Sequence, residues 1–378
     1  MNLIIEKRKM VKYLSYAETI ANSKSTIPVL SNILMEIADG AVSFLSSNLE
    51  SGIKITESVQ NAGEGALAVN GRKLLSIIRE LPDDNVSMNT DENNRLTIKS
   101  LSNEINAQFT IAGVARSEFP EVRTEPDDEY VEFNADVFKN MVRKVIYAIS
   151  SDENKYSLTG VFIEKSEDTL NMVATDGKRL ALVTGSAGDL GVSMESVNLP
   201  PDGVIVPKIV FTEILKYNFE KDVIAIGFSK NQIFFKYDNI RLTSNLIEGK
   251  YPEYKKIIPA ERDHFFIADK EHLLNAIKRV SVLVDESYNQ IKLHASPGNL
   301  VLSSQNPALG GAVEEIAIKY EGDEIDIALN YIYLLDCLKE IGSNEVKVDF
   351  ENSERVVTAR GMIEEGYINL IMPMKLNV

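Results

Sequence analysis

The stretch Tyr130-Val131-Glu132-Phe133 decides the fold, because it opens one of three similar repeats. Each repeat starts with a short β-type run and continues into an amphipathic segment of helical period, and the three openings are Met1–Ala21, Tyr130–Ile149 and His264–Val284. The first repeat closes on Glu118-Phe119-Pro120-Glu121-Val122 and the second on Lys250-Tyr251-Pro252-Glu253-Tyr254, so that Phe119 and Tyr251 are 132 positions apart. This spacing is the size of a domain and much longer than a solenoid repeat. The sequence therefore predicts three domains of one kind.

Each repeat divides further into two halves with the order β-α-β-β-β. The second halves open on Ala68-Val69-Asn70, Ile205-Val206-Pro207 and Ala328-Leu329-Asn330, which lead into predicted helices at 71–81, 208–217 and 331–341. Alternating runs follow, such as 95–99, 223–228 and 355–360, and alternation is typical of half-buried antiparallel strands. We therefore predict an α+β fold with two helices packed on antiparallel sheets in each domain. Acidic or proline-bearing linkers place the domains at 1–126, 127–259 and 260–378.

The composition excludes several classes of protein. The chain has 378 residues, of which 44% are hydrophobic, so it can bury two or three ordinary cores. Its one cysteine, Cys337, excludes an intramolecular disulfide framework, and its place between Leu335 and Leu338 on a predicted helix indicates a buried thiol. There is no signal-peptide pattern and no unbroken apolar stretch of about 18 residues. We expect a soluble cytoplasmic protein.

The net charge of −16 conceals a segregation of the basic residues. The six helix-forming segments 6–12, 70–81, 134–147, 207–221, 269–280 and 330–340 hold 17 Lys or Arg against 9 Asp or Glu, which gives +8 and leaves −24 elsewhere. A surface lined by these helices would bind nucleic-acid phosphates without sequence preference. The alternative is that these charged residues only reflect the usual composition of solvent-exposed helix faces.

The motifs of common catalytic sites are absent from the sequence. It contains no phosphate-binding glycine loop, dinucleotide fingerprint, nucleophile elbow or paired-histidine zinc motif. His264, His272 and His294 do not have metal-ligand spacing. Asp176 admits two interpretations: an acid for phosphoryl transfer, or an Asp-Gly turn after a strand. The pattern recurs loosely at Ser46–Glu50 and Ser303–Asn306, which favours the turn, so we expect neither catalysis nor a cofactor nor a metal.

Four stretches carry a resemblance to a known family: Thr26–Leu34, Ala174–Ala181, Tyr251–Tyr254 and Ile371–Leu376. Over its whole length the chain resembles the beta subunit of bacterial DNA polymerase III, the replicative sliding clamp. The resemblance implies the DNA clamp fold and a head-to-tail homodimer that forms a six-domain ring with its helices around the hole. It implies a non-catalytic processivity factor that encircles double-stranded DNA and tethers the polymerase, while a separate clamp loader supplies the ATP chemistry.

The resemblance also implies an apolar cleft that takes short linear peptides from the polymerase catalytic subunit, the clamp loader and repair factors. The matching positions are Leu158, Thr175, Gly177, Lys178, Arg179, Leu180, Pro252, Ile257, Asn330, Tyr333, Met372, Pro373, Met374, Lys375 and Leu376. Methionines adapt to several ligands, and leucine and proline walls suit an apolar anchor. The alternative for Met372–Met374 is a closing strand packed on its own core. Lys375 stands where arginine is common, and Asn377 and Val378 extend past the usual end, so the rim of the cleft is expected to differ.

The ring-closing contact implied by the resemblance sets Phe109 and Ile111 of the first domain against Val282 and Leu283 of the third. Lys73 or Arg72 would face Glu314 and Glu315 at its rim. The DNA-facing candidates are Lys24, Arg79, Tyr156, Lys208, Arg143, Lys144 and Lys278. Asp152 places an acid near Tyr156 and weakens the case for that loop.

Two other functions compete with the clamp. One is an open multi-domain scaffold that binds protein partners and does not encircle DNA. The other is an enzyme with a site around Asp176 and Lys178. A monomeric mass and salt-independent behaviour would favour the scaffold, whereas an Asp176→Asn variant that kept partner binding and replication would exclude the enzyme.

Overall fold

The structure is a computed structural model that describes residues 1–21, 26–60, 62–82, 84–102, 105–217, 221–260 and 264–375. Within these ranges no helix is long and apolar enough to cross a membrane.

The described part of the first repeat contains eight strands and two helices. They are β1 (Asn2–Glu6), α1 (Lys7–Ile20), β2 (Asn32–Ala38), β3 (Ala41–Ser47), β4 (Ser51–Ser58), β5 (Gly65–Asn70), α2 (Gly71–Glu80), β6 (Asn85–Thr90), β7 (Arg95–Ser100) and β8 (Gln108–Val114).

The second repeat has the same order with one added short helix, α4. Its elements are β9 (Val131–Asn134), α3 (Ala135–Ile146), β10 (Gly160–Lys165), β11 (Thr169–Thr175), β12 (Arg179–Ser186), α4 (Ala187–Leu190), β13 (Val204–Pro207), α5 (Lys208–Lys216), β14 (Val223–Ser229), β15 (Gln232–Tyr237) and β16 (Ile240–Asn245).

The described part of the third repeat again contains eight strands and two helices. They are β17 (Phe265–Asp269), α6 (Lys270–Val280), β18 (Gln290–Ser296), β19 (Asn299–Asn306), β20 (Gly310–Ala317), β21 (Ile325–Asn330), α7 (Tyr331–Glu340), β22 (Glu345–Asp349), β23 (Val357–Gly361) and β24 (Tyr367–Ile371). The predicted order β-α-β-β-β is therefore confirmed in all six halves.

Side-chain caps explain why a strand passes directly into a helix in several halves. The Asn70 side chain accepts a hydrogen bond from the backbone N–H of Lys73 at 3.0 Å, and Asn330 accepts from Ile332 at 2.9 Å. Asp269 does the same for His272 at 2.8 Å. Each cap satisfies an N–H group that the first turn of a helix leaves without a partner.

Several predicted boundaries are wrong by one or two residues. Helices α2 and α7 end before Leu81 and Ile341, because both residues take extended backbone angles. Strand β23 begins at Val357 and not at residue 355, because the Asn352 side chain holds the preceding residues in a turn. The predicted linker at 259–263 falls partly outside the described residues.

The chain packs into two compact units. The first comprises Met1–Asp136, Ser196–Asn198 and Ile209–Leu246, and the second comprises Val137–Glu195, Leu199–Lys208 and Ile247–Val378. The first contains a 12-stranded sheet in the order β1-β6-β7-β8-β5-β2-β3-β4-β16-β15-β14-β9. The second contains an 8-stranded sheet, β13-β10-β11-β12-β24-β23-β22-β17, and a 4-stranded sheet, β20-β19-β18-β21.

Consecutive repeats share sheets through one recurring junction. In the first compact unit β4 pairs antiparallel with β16, and in the second β12 pairs antiparallel with β24. In both cases the last strand of a repeat's first half joins the last strand of the next repeat's second half. In the third repeat the last strand of the first half is β20, and in the first repeat the last strand of the second half is β8. β20 ends its sheet, and β8 meets β5 only at Gly113 and Val114, so both strands keep an open edge among the described residues.

Candidate functional site

The turn between β11 and β12 organises the predicted peptide cleft. The Asp176 carboxylate accepts hydrogen bonds from the backbone N–H groups of Lys178 at 2.8 Å and Arg179 at 3.0 Å. Gly177 has a φ of 90°, in the left-handed region that favours glycine, and its N–H donates to the Thr175 hydroxyl at 3.0 Å. The predicted structural role of Asp176 is confirmed, because its carboxylate closes the turn.

Arg179 is the centre of a polar cluster on the second compact unit. Its guanidinium donates to Asp336 at 2.7 Å, to the backbone carbonyl of Tyr147 at 2.6 Å and to Asp176 at 3.2 Å. The same group lies 4.5 Å from the ring centroid of Tyr333 and 5.3 Å from that of Tyr147. A planar cation held between two rings and two carboxylates cannot rotate freely, so it fixes the position of Tyr333.

The floor beneath this turn is apolar. Leu158 and Leu180 are buried in one cluster with Phe162, Tyr251 and Tyr254. The rings of Phe162 and Tyr251 stack with centroids 4.7 Å apart and an angle of 8° between their planes. The segment that contains Tyr251 and Tyr254 therefore packs onto the sheet and supports the side chains that face the cleft.

Glu164 holds that segment in place. Its carboxylate accepts from the Tyr254 hydroxyl at 2.6 Å and forms an ion pair with Lys255 at 2.6 Å. Burial raises the pKa of Glu164, but the hydrogen bonds from Lys255 and Tyr254 outweigh it and leave the pKa below its ordinary value. The charged form of Glu164 is therefore the one that the fold stabilises.

The segment after β24 lies at the rim of the predicted cleft. The N–H of Met372 donates to the Lys178 carbonyl at 2.9 Å, and the N–H of Met374 donates to the Ala328 carbonyl at 2.8 Å. The Gln290 side chain donates to the Lys375 carbonyl at 2.7 Å. The side chain of Met372 remains 48% exposed, and Ile257 is 53% exposed. Exposed apolar side chains above a buried apolar floor suit the anchor of an extended peptide.

The remaining predicted cleft residues vary in accessibility. Pro252 is exposed and Pro373 is half-buried, whereas Thr175 is buried beneath the turn. Asn330 caps α7 with its side chain, which gives it a structural role besides any contact with a ligand. Leu376 lies outside the described residues.

Sequence reasoning missed three residues beside predicted cleft positions. Tyr147 and Asp336 hold Arg179, and Ile332 is an exposed apolar residue on α7. Asp336 is 157 positions from Arg179, and no spacing pattern in one sequence links such distant residues. The one signal in the sequence was Asp336 itself, a charged residue that follows the apolar start of α7.

Most predicted DNA-facing residues lie at helix ends, and Lys24 lies outside the described residues. Arg79 is in the last turn of α2, and Lys278 is in the last turn of α6; both are exposed. Lys208 is the exposed first residue of α5, and Tyr156 is 59% exposed. Cations in the last turn are stabilised by the helix dipole and remain available to an external anion.

Arg143 and Lys144, in the last turn of α3, differ from each other. Arg143 is exposed, but the Lys144 side chain is 13% exposed and pairs with Glu364 at 2.9 Å. Its ammonium also lies 4.8 Å from the ring centroid of Tyr367. A phosphate would have to compete with both partners, so Lys144 is the weaker of the two candidates. In the nearby loop, Asp152 accepts from the N–H of Asn154 at 3.0 Å and forms a turn before Tyr156.

Two of the predicted ring-closing residues lie on β8, and the other two lie in a short helical turn beside β20. Phe109 is 37% exposed on β8, where Ile111 is half-buried. Val282, which is 76% exposed, and Leu283 belong to a short helical turn at Ser281–Leu283 that packs on β19 and β20. Sequence reasoning did not single out Val313 on β20 or Leu309 in the turn just before it, and each is 70% exposed.

The described residues contain no cluster of three or more His, Cys, Asp or Glu side chains that would hold a metal ion. Cys337 is buried as predicted, and burial, followed by the charge of Asp336, raises the pKa of its thiol to about 12. A thiol of this kind is unreactive at neutral pH.

Comparison with known proteins assigns the family. Models of the N-terminal, central and C-terminal domains of the DNA polymerase III beta subunit match residues 1–123, 132–253 and 255–375. The chain therefore belongs to the DNA polymerase III beta subunit family.

Relatives and solved structures agree over the whole length. The beta sliding clamp of Pseudomonas putida is 28% identical over 100% of both chains, and that of Bacillus subtilis is 28% identical over 99% of this chain and 100% of the relative. The crystal structure of the DNA polymerase III beta subunit from Pseudomonas aeruginosa has 27% identity and a TM-score of 0.89, with 100% of each chain covered. A sliding clamp from Bartonella birtlesii, bound to griselimycin, has 25% identity and a TM-score of 0.92 at the same coverage.

These findings confirm the predicted family and the α+β fold of three similar domains. They also confirm the function of a sliding clamp in DNA replication, which is a non-catalytic subunit of the polymerase. The hypothesis of an enzyme around Asp176 is wrong.

Proposed function

We propose that two copies of this chain close head to tail into a ring around double-stranded DNA, and that the cleft beside Arg179 tethers the polymerase and other partners to that ring. The proposed domains are 1–126, 127–259 and 260–378, and the proposed compartment is the cytoplasm. The observation that carries the proposal is the pair of strand edges left open at β8 and β20.

Pairing of the two open edges would repeat a strand junction that the chain already forms twice. β4 joins β16 and β12 joins β24, so the third junction of this kind would join β20 of one copy to β8 of another. A head-to-tail contact closes when its rotations add to a full turn, and two copies supply six repeats. An exposed edge strand that carries apolar side chains is otherwise a site of uncontrolled aggregation, which a closed ring removes.

Side chains at both edges suit this pairing. Phe109 on β8 and Val313 on β20 are exposed apolar residues on the strands that would meet. Glu315 on β20 is exposed, and Arg72 and Lys73 are exposed on α2. An apolar centre with charges at its rim is the usual composition of a stable protein interface.

Binding to DNA would rest on phosphate contacts alone. Arg79, Arg143 and Lys278 are exposed at the C-terminal ends of helices. Such contacts give affinity without sequence preference, and salt weakens them. A ring that needs only these contacts would slide along the duplex.

The cleft would bind short linear peptides of the polymerase catalytic subunit, the clamp loader and repair factors. Its exposed Met372 and Ile257 offer an adaptable apolar surface, and the fixed Arg179 cluster borders it. Once a polymerase is held to an encircling ring, its dissociation from the primer becomes an intramolecular event at high effective concentration. Processivity then follows from the topology and needs no tight grip on DNA.

The first experiment measures the mass in solution by light scattering across a dilution series. A ring requires a mass near twice 42.1 kDa that persists at low concentration. Phe109→Glu places a charge at the proposed junction and should yield monomers. Val223→Glu is the matched control, because Val223 is 38% exposed against 37% for Phe109 but lies on an interior strand, β14. A wild-type monomer at all concentrations would favour the open scaffold.

A further inference from the structure

The loop at residues 362–366, between β23 and β24, exposes apolar side chains. Ile363 is 84% exposed and Met362 is 44% exposed. In the second repeat the corresponding connection, between β15 and β16, consists of the two polar residues Asp238 and Asn239. The third repeat therefore has a longer connection at this position, and it presents apolar groups to solvent.

Hydrogen bonds hold this loop in one position. The Glu364 carboxylate accepts from the backbone N–H of Gly342 at 2.9 Å and forms an ion pair with Lys144 at 2.9 Å. The N–H of Ile363 donates to the hydroxyl of buried Ser343 at 3.2 Å. Because the loop is already ordered, a partner that contacts Ile363 would lose little free energy to ordering it.

A cavity of about 420 Å³ lies beside the loop, on the 8-stranded sheet of the second compact unit. Leu182 and Ile368 both line it, and they are opposite each other in the register of β12 and β24. Both are half-buried and pack against the apolar cluster that contains Leu180. Met362 also lines the cavity, so the cavity and the loop form one apolar surface. The volume lies within the range of about 300–1,000 Å³ that is typical of ligand sites.

Arg360 places a positive charge in this lining. Its guanidinium lies 3.3 Å from the carboxylate of Asp349, which is fully buried, while the Arg360 side chain is 28% exposed. Neither oxygen of Asp349 forms a hydrogen bond with a described residue, and a buried ion pair of this kind adds little to stability. Two glutamates also line the cavity, but Glu364 is engaged by Lys144 and Glu365 is exposed. Asp349 therefore positions Arg360, whose other N–H groups suit an external carboxylate.

We infer that the cavity and the loop at 362–366 form a second contact site for a partner protein, whose segment carries an apolar side chain next to a carboxylate. The apolar group would lie on Leu182 and Ile368, and the carboxylate would pair with Arg360. A protein fits the site better than a small molecule does, because Ile363 extends the apolar surface beyond the cavity.

The inference rests on the proposed function, because it assigns this site to partners that are tethered at the cleft. Leu182 follows Leu180, a predicted cleft residue, by two positions on β12, so both lie on the same face of the sheet. A partner held in the cleft by one peptide would meet the second site at high effective concentration. Even a weak contact there would then prolong the tethering.

The test follows the methyl NMR signals of the full-length protein during titration with the peptide acetyl-Gly-Leu-Glu-Gly-amide. The signals of Met362 and Ile363 should shift, and they should still shift when the cleft is saturated with a polymerase-derived peptide. The matched peptide with Gln in place of Glu should bind about tenfold more weakly, since it lacks the charge-assisted hydrogen bond to Arg360. The small acid 4-methylpentanoate, which has a similar apolar group, should bind more weakly than the Leu-Glu peptide.

Protein variants locate the site further. Ile363→Ser should weaken binding of the Leu-Glu peptide by about tenfold, because an apolar contact is lost. Ile4→Ser is the matched control, since Ile4 is 52% exposed on β1 of the first compact unit. Asp349→Asn combined with Arg360→Gln removes both charges without leaving one buried and unpaired, and should abolish the preference for Glu over Gln.

Three results would overturn the inference. They are unchanged signals of Met362 and Ile363, equal affinity for the Glu and Gln peptides, and binding of 4-methylpentanoate as tight as that of the peptide, which would assign the site to a small acid. Failure of the polymerase-derived peptide to bind the wild type would instead contradict the proposed cleft, and it would leave the shifts at Ile363 unaffected.

Discussion

The side chain of Arg179 is tightly constrained within the predicted cleft. It contacts two carboxylates, one carbonyl and two tyrosine rings at once. A guanidinium can meet these groups because it is planar and has five N–H donors, whereas an ammonium acts as a point charge. The residue therefore sets the positions of Tyr333 on α7 and of the turn that begins at Thr175.

We predict that Arg179→Lys weakens binding of a polymerase-derived peptide by about tenfold, since the fixed geometry is lost while the charge remains. Fluorescence anisotropy with a labelled peptide measures the effect. Arg95→Lys makes the same change at an exposed position on β7 of the first compact unit, outside the predicted cleft, and should bind normally. Equal affinity of Arg179→Lys and the wild type would show that the cluster does not shape the cleft.

Glu164 gives a pH-dependent prediction. Its pKa is lowered in the folded protein, so its stabilising contribution is present above the ordinary glutamate pKa and is lost as the pH falls through the lowered value. Glu164→Gln should therefore lower the thermal midpoint at pH 7 and have little effect at about pH 3. Differential scanning fluorimetry at both pH values measures the difference. Glu167→Gln, at an exposed position, should change neither midpoint.

At the scale of elements, the order of strands and helices was predictable because each element has a local signal. The run Ala68-Val69-Asn70 combines β-type residues with a helix cap, and the same combination recurs at Asn330. The pairing of β4 with β16 was not predictable in this way, since Ile53 and Leu242 carry no mark of their partnership. Pairing of distant strands depends on packing between repeats, which periodicity in one sequence does not encode.

The short helix α4 and the ion pair between Arg279 and Glu314 were also not predicted from the sequence. Sequence reasoning assigned Glu314 to a contact with Arg72 or Lys73 of another copy. In the structure Glu314 accepts from Arg279 of its own chain at 2.9 Å, which ties β20 to α6. Glu315, the next residue, is exposed and is the better candidate for a contact between copies.

We predict that Glu315→Lys weakens the dimer by about tenfold, because like charges would then meet across the junction. Adding Lys73→Glu should restore most of the loss by reversing both charges. Sedimentation velocity at several concentrations measures the dissociation constant. Glu321→Lys makes the same charge change at an exposed position after β20 and should leave the dimer intact. If the double variant does not regain dimer affinity, Lys73 and Glu315 are not in contact across the junction.

At the scale of the whole molecule, charge and topology act together. The chain carries a net charge of −16, yet the basic residues concentrate in the helix-forming segments. A protein of this charge is repelled from DNA over most of its surface, so its affinity for DNA that it does not enclose should be low. In the proposed ring, retention on DNA would come from enclosure, and the predicted DNA-facing cations Arg79, Arg143 and Lys278 would limit the repulsion.

This argument predicts a difference between circular and linear DNA. After loading by the clamp loader, the wild type should stay on closed circular DNA when the salt concentration is raised, because enclosure does not depend on ion pairs. The same protein should leave the circle once a restriction enzyme cuts it, since a sliding ring escapes from a free end. Gel filtration of labelled protein with the DNA measures both outcomes.

Three variants test the parts of this prediction separately. Phe109→Glu should lose retention even on circles, because its junction cannot close, whereas Arg179→Lys should be retained like the wild type but support less processive synthesis. Replacing Arg79, Arg143 and Lys278 together by alanine should slow loading and leave retention on circles unchanged, as phosphate contacts assist entry but do not hold the ring. Equal loss of the wild type from cut and uncut DNA would contradict encirclement, whatever the mass in solution, because only a closed path distinguishes a circle from a line.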